Sequence, residues 1–201
     1  MIVPEFEIKD ILKKYGLKTP YGKIVESAKE YDGKYPVVLK VSSKTITHKT
    51  EAGAVILDIK SPEELDRKIA DLLQKFPGED LYVEEMEPRG IEVIVGLVND
   101  QFIGKVMMLG IGGFYAELIK DVTFKKLPID KYDAEDMLEE LKYSNIFNGY
   151  RNLRCNKEIL KDLLLKISKL GMEMEFQQMD FNPIFLYEDR YVIIDSKMVI
   201  L

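Results

Sequence analysis

The chain has 201 residues, 46% hydrophobic and 32% charged, with 35 acidic residues against 29 basic ones and a net charge of −6. That composition excludes an intrinsically disordered chain, and the acidic balance argues against a sequence-independent nucleic-acid binder, which needs a basic footprint. A lone cysteine, Cys155, cannot close an internal disulfide, the charged start is unlike a signal peptide, and the apolar stretch 106–116 is too short to span a bilayer; a cytoplasmic protein with no membrane partner is expected.

In chain order, Phe6, Ile8, Ile11, Leu12 and Tyr15 lie at helical spacing, which predicts a helix from Pro4 to Tyr15 stopped by Gly16. Tyr21 to Glu26 reads as a short strand, and Asp32-Gly33 as a turn. The run Pro36-Val37-Val38-Leu39, ending on Lys40 and Val41, predicts a buried strand. A polar loop with the only histidine, His48, comes next, and then a second strand, Val55 to Ile59. Ser61-Pro62-Glu63-Glu64 is a capping box with proline at the first helical position. It opens a helix with Leu65, Ile69, Leu72, Leu73 and Phe76 inward, ended by Pro77-Gly78. Leu81 to Met86 is a strand, and Pro88-Arg89-Gly90 offers a hinge between lobes. Ile91 to Val98 and Phe102 to Leu109 form an antiparallel hairpin, followed by the glycine cluster Gly110, Gly112 and Gly113. Asp130 and Asn156 each cap a helix, the second ending at Gly171. The chain closes on strands Met179 to Tyr187 and Tyr191 to Asp195. These elements predict an α+β protein with mostly antiparallel sheets.

Chemistry-bearing residues fall in four places, each with a bland and a sharp reading. A lysine at the buried end of a strand needs an anion, so Lys40 either snorkels to water or holds a phosphate. Glu84 and Glu85 either end their strand in solvent or line a site. Glu92, the one charge in a β-forming run, faces solvent or a cleft. Asp180 and Asn182 are two apart on a strand and so share a face. Asp195 ends the partner strand and is able to meet them, which makes the trio either solvated strand residues or hard oxygen ligands suited to Mg²⁺. His48 has no serine, cysteine or second histidine to work with. It is a surface or structural residue, or acts alone as a nucleophile or proton carrier.

The segments VVLKVSSKTITHKTEAGAV, YVEEM, GIEVIVGLVNDQFIGKVMMLGIGGFYAELIKDVTF and MDFNPIFLYEDRYVIIDSK, in this order and over nearly the whole chain, resemble the β subunit of ADP-forming acetyl-CoA synthetase, a relative of the succinyl-CoA synthetase β subunit. The resemblance implies an ATP-grasp fold with lobes 1–87 and 88–201 gripping a nucleotide. It gives Lys40 to the nucleotide phosphates, the backbone of Glu84, Glu85 and Met86 to the base edge, and Glu92 to the nucleotide. Asn182 and Asp195 are implied as Mg²⁺ ligands, with Asp180 standing where the family has an acidic residue. His48 is implied as the phosphohistidine. The implied reaction is acyl-CoA + ADP + phosphate ⇌ carboxylic acid + CoA + ATP, and the implied partner is a CoA-binding α subunit in a hetero-oligomer. Departures from the family include Ala54 for a common glycine, Arg151-Asn152 for Arg-Gly and Lys197 for an arginine. An ATP-grasp ligase working through a free acyl phosphate, and a nucleotide-binding regulatory subunit without turnover, are the alternatives.

Overall fold

The computed structural model describes residues 1–46, 49–113, 119–149, 151 and 153–200. The elements in chain order are β1 (Ile2–Val3), α1 (Glu5–Lys14), β2 (Gly22–Ile24), β3 (Val37–Ser42), β4 (Val55–Ile59), α2 (Pro62–Lys75), β5 (Asp80–Glu85), β6 (Ile91–Asp100), β7 (Gly104–Ile111), β8 (Val122–Lys126), α3 (Lys131–Glu139), α4 (Lys157–Glu173), β9 (Gln178–Leu186), β10 (Tyr191–Ile193) and β11 (Ser196–Val199). They fall into two compact units. The N-terminal unit is Ile2–Glu7 with Pro20–Pro88, and the C-terminal unit is Met1, Ile8–Thr19 and Arg89–Leu201.

Relative to lobes 1–87 and 88–201, the N-terminal unit lacks Met1 and Ile8–Thr19 and takes in Pro88. Residues Ile8–Thr19 group with the C-terminal unit because their polar groups bond there. Lys9 Nζ donates to the carbonyl of Ile194 at 3.1 Å, the Ile193 amide donates to the carbonyl of Lys18 at 2.8 Å, and the Tyr191 hydroxyl donates to that of Gly16 at 3.4 Å. Hydrophobic spacing located the helix but carried no information on these long-range bonds.

In the N-terminal unit the sheet runs β2-β5-β3-β4, all antiparallel. Every residue of β3 is buried, as its unbroken apolar run predicts. Val37, Leu39 and Val41 face a core with Leu65, Ile69 and Leu72 of α2, leaving Val38, Lys40 and Ser42 on the opposite face of the pleat. Ser61 caps the α2 N-terminus, but the predicted capping box is not reciprocal, since the Glu64 carboxylate accepts from the Lys60 amide at 2.9 Å. Ser61 accepts from the Glu64 amide at 3.2 Å and Pro62 occupies the first turn. Leu73, expected inward, is exposed, because it lies beside Leu72 on the helix circumference and rotates away from the Leu65–Ile69–Leu72 stripe.

The C-terminal unit is built on the strand path β11-β9-β6-β7-β8, with β10 also pairing β9. One sheet face is its core. Val93, Val95, Leu97, Met107, Leu109, Met179, Phe181, Ile184 and Leu186 are buried with the inward residues of α3 and α4. Both helix caps form. Asp130 accepts from the Tyr132 and Asp133 amides, with Asp133 completing a capping box, and Asn156 accepts from the Glu158 amide. Gly171 does not end α4, which continues to Glu173. A Cβ at Gly171 would lie 2.7 Å from Leu127 Cδ1 and 2.9 Å from Leu97 Cδ1; the glycine serves close helix–sheet packing, not a cap. In this unit two strands carry no sequence-based assignment, β8 and β11. The first is short and half polar, and the second comes directly after Asp195.

Candidate functional site

The lysine singled out in the sequence sits on the second face of β3. Lys40 pairs with Tyr82 across to β5, and Val38 pairs with Glu84, so Lys40 and Glu84 are diagonal neighbours on one face. Lys40 Nζ lies 2.7 Å from a Glu84 carboxylate oxygen and 2.7 Å from Oε1 of Glu5, with side-chain exposures of 6%, 1% and 2%. The other Glu5 oxygen is 2.6 Å from Lys49 Nζ. Lys40 is thus no snorkelling strand end. It is a buried ammonium held between carboxylates, a state that persists only with such pairing. Glu5 is the residue that sequence reasoning missed. It lies in the first turn of α1, where it reads as an ordinary favourable charge at a helix start.

The strand end beyond Glu84 turns its polar groups back into the same unit. The Glu85 amide donates to the Tyr21 carbonyl at 2.8 Å, the Met86 amide donates to the Pro36 carbonyl at 2.9 Å, and the Glu85 side chain accepts from the Lys34 amide at 3.0 Å. Glu85 and the half-buried Met86 are therefore fixed in place, and neither amide points outward unengaged. Burial, with Glu85 adding to it, raises the Tyr31 hydroxyl above the ordinary phenol range. After β3 the chain enters the polar loop. His48 lies outside the described residues, whereas the turn from Lys49 to Ala54 lies within them. The Ala54 amide donates to the Lys49 carbonyl at 2.7 Å, and the Val41 amide donates to that of Ala54 at 2.9 Å.

The second group of predicted residues lies in the C-terminal unit, on the sheet face opposite its core. Along β6 the half-buried Glu92, Ile94 and Gly96 alternate with buried Val93, Val95 and Leu97. Glu92 pairs with Phe185, and Gly96 with Asp180. The glycine cluster folds against Glu92. The Gly112 amide donates to the Glu92 carbonyl at 2.8 Å, and a Cβ at Gly112 would come within 3.0 Å of the Glu92 backbone. Only a glycine passes there without moving the strand.

Between these pairs β9 is irregular. Val93 faces Ile184 and Val95 faces Phe181, so three steps on β9 match two on β6 and one residue is extra, a β-bulge at Asn182-Pro183. Proline is accepted in a strand at such a place because it has no amide to donate. The bulge leaves Asn182 exposed next to buried Phe181. On the other edge of β9, Asp195 fills the gap between β10 and β11. The Asn182 amide donates to the Asp195 carbonyl at 3.2 Å, and an Asp195 carboxylate oxygen accepts from the Ser196 amide at 2.8 Å. Asp180 pairs with Lys197 of β11. Burial pushes its carboxyl above the usual range while the Lys197 charge pulls it back. Asp180 also lines an apolar cavity of about 350 Å³ with Gly96, Val98, Met108 and Phe124.

Among the described residues no group of three His, Cys, Asp or Glu side chains is gathered to hold a metal ion. One amide oxygen from Asn182 and one carboxylate from Asp195 are donor types that would suit a hard cation such as Mg²⁺, which takes further ligands from water and phosphate. No described helix is long and apolar enough to cross a membrane.

Comparison with known proteins identifies the family. The family model described as "ATP-grasp domain" matches residues 1–200. The chain is 39% identical to subunit beta of acetate–CoA ligase [ADP-forming] I from Pyrococcus furiosus, over 98% of this chain and 90% of that one. It is 37% identical to the acetate–CoA ligase [ADP-forming] II of Archaeoglobus fulgidus, spanning 100% of this chain but 30% of that longer one. Among solved structures, an acetyl-coenzyme A synthetase 1 of Ca. Korarchaeum cryptofilum in complex with coenzyme A and Ca-AMPCP superposes with a TM-score of 0.91 at 30% identity, covering 100% of this chain and 93% of that one.

Proposed function

The chain belongs to the ATP-grasp domain family, among the β subunits of ADP-forming acetate–CoA ligases, and we propose that it binds ADP or ATP and relays a phosphoryl group to and from that nucleotide through His48. The observation that carries this reading is how the matched residues sort. Lys40 and Glu84 to Met86 belong to the N-terminal unit, on or just after β3 and β5. Glu92, Asn182 and Asp195 belong to the C-terminal unit, on β6, on β9 and beside it.

Each group has a chemical task that suits its position. Lys40 is a buried cation already fixed by carboxylates, and it donates a charge-assisted hydrogen bond to a nucleotide phosphate, worth roughly 1.5–3 kcal/mol. The segment Glu84 to Met86 borders the base. Its Glu85 and Met86 amides are engaged with Tyr21 and Pro36, so it is a fixed edge. Glu92, backed by Gly112, faces the nucleotide. Asn182 and Asp195 hold Mg²⁺, which supplies charge neutralisation for the phosphates. The demand of phosphoryl transfer is chiefly positioning and charge compensation, and these residues meet it without a general base.

In the ATP-forming direction a phosphate oxygen of ADP attacks the phosphorus on His48. The P–N bond breaks as the new P–O bond forms, and the imidazole leaves neutral after taking up a proton. The phosphoryl group originates in inorganic phosphate, which displaces CoA from the acyl-CoA on a CoA-binding partner subunit and is passed on as the carboxylic acid leaves, so the net reaction is acyl-CoA + ADP + phosphate ⇌ carboxylic acid + CoA + ATP. The test is incubation with labelled ATP and Mg²⁺, with and without the partner subunit. The expected result is an acid-labile phosphoprotein that disappears in His48→Asn; no label, even with the partner supplied, refutes the reading.

A further inference from the structure

Four side chains of the N-terminal unit form a chain of alternating charge, Glu84–Lys40–Glu5–Lys49, with successive separations of 2.7, 2.7 and 2.6 Å. Glu84 already gives Lys40 a counter-charge at 2.7 Å. The second carboxylate does something further, because its two oxygens go to two different lysines, Oε1 to Lys40 and Oε2 to Lys49. These residues are far apart in sequence, and Lys49 directly follows His48. With side-chain exposures of 2% for Glu5 and 15% for Lys49, the bridge is shielded from water, so its strength is not screened away as a surface pair's is.

We propose that Glu5 is a positioning residue whose carboxylate, by bridging Lys40 and Lys49, fixes the turn that begins at Lys49 relative to the phosphate-handling lysine. That turn is tied at its far end through Ala54, which bonds to both Lys49 and Val41. Glu5 holds the near end. The inference rests on the proposed function, in which Lys40 meets the nucleotide and His48 carries the phosphoryl group. Its consequence is that Glu5 governs the rate of transfer while leaving nucleotide affinity to Lys40, which keeps Glu84 as an anion when Glu5 is neutralised.

The test compares the full chain with Glu5→Gln, Lys49→Met and the double variant. The reporters are amide exchange at Gly53 and Ala54, exchange at Val83 in the buried centre of β5, the affinity for Mg-ADP, and the rate of phosphohistidine labelling. Expected for each single variant are about tenfold faster exchange at Ala54 and about tenfold slower labelling, with no further change in the double variant, since both substitutions remove one shared interaction. Val83 exchange and Mg-ADP affinity stay within about threefold of the unsubstituted chain. Unchanged exchange at Ala54 in Glu5→Gln overturns the proposal, as do single effects that multiply in the double variant or a rise at Val83 matching that at Ala54. The exchange measurement requires no phosphoryl transfer. An unlabelled parent chain therefore refutes the proposed function, while the Glu5 bridge stands or falls on the amides alone.

Discussion

Removing the ammonium of Lys40 while keeping its partners probes the N-terminal unit most directly. In Lys40→Met the carboxylates of Glu84 and Glu5, 1% and 2% exposed, lose the cation that lies 2.7 Å from each. Methionine fills similar volume, so the cost is electrostatic and not a cavity. Breaking a buried ion pair from one side costs about 3–5 kcal/mol, and at about 2–4 °C per kcal/mol for a chain of this size the melting temperature falls by roughly 6–20 °C. The double variant Lys40→Met, Glu84→Gln also removes the Glu84 charge, while Glu5 keeps Lys49 at 2.6 Å, and it recovers at least half of that loss. Nucleotide affinity takes a different course. Both variants lack the lysine–phosphate contact, so both bind Mg-ADP about 10- to 150-fold more weakly, which is the roughly 1.5–3 kcal/mol of such a contact expressed as a ratio. Urea denaturation followed by circular dichroism, with calorimetric titration of Mg-ADP, separates the two quantities. A Lys40→Met chain within about 1 kcal/mol of the parent refutes the buried-network argument. A double variant that regains affinity along with stability refutes the phosphate role.

Asp195→Asn leaves an oxygen donor but removes the charge, and it should abolish the Mg²⁺ dependence of nucleotide binding with little effect on melting; retention of that dependence counts against Asn182 and Asp195 as the ligands. Gly171→Ala gains about 1 kcal/mol of helix propensity but drives a Cβ to 2.7 Å from Leu127, an overpacking cost of about 1–3 kcal/mol; the melting temperature should therefore fall, and a rise would show that the core relaxes freely. Burial raises the Tyr191 hydroxyl to about 12. Its stabilising contribution is thus complete below the ordinary phenol value near 10 and is lost as pH rises toward 12, so Tyr191→Phe should flatten the alkaline limb of a stability–pH curve. Burial also raises the Cys155 thiol, and its alkylation rate should reach half-maximum at a pH above the ordinary thiol value of about 8.5; a midpoint at or below that value contradicts the buried setting.

Much of this molecule is legible in local sequence because the relevant physics is local. Caps at Ser61, Asp130 and Asn156, the unbroken apolar run of β3 and the hairpin of β6 and β7 each depend on residues within a few positions of one another, and each formed. The illegible features depend on distant partners. Nothing near Glu5 announces that it lies against Lys40 and Lys49, and nothing near Gly171 announces Leu97 and Leu127, so local pattern is silent on the first and suggests a helix end for the second. The strand at Ser196–Val199 was hidden because Asp195 looks like a terminus, whereas it is a gap between two strands that share β9. Pro183 in the middle of an apolar strand signals a bulge.

That bulge also constrains how the protein reaches its fold. Before it, the core residues of β9 fall on odd positions, Met179 and Phe181; after it they fall on even ones, Ile184 and Leu186. A strand with a constant alternation remains half satisfied when it slips by two residues, since its inward set stays inward. A strand whose parity switches midway has no such second choice, because any slip moves the switch away from the place where β6 accommodates it and turns part of the inward set to the open face. The extra residue that presents Asn182 therefore also acts as a register mark during assembly. Deleting it would remove the proposed ligand and, in the same stroke, erase the information that tells this strand where to stop sliding.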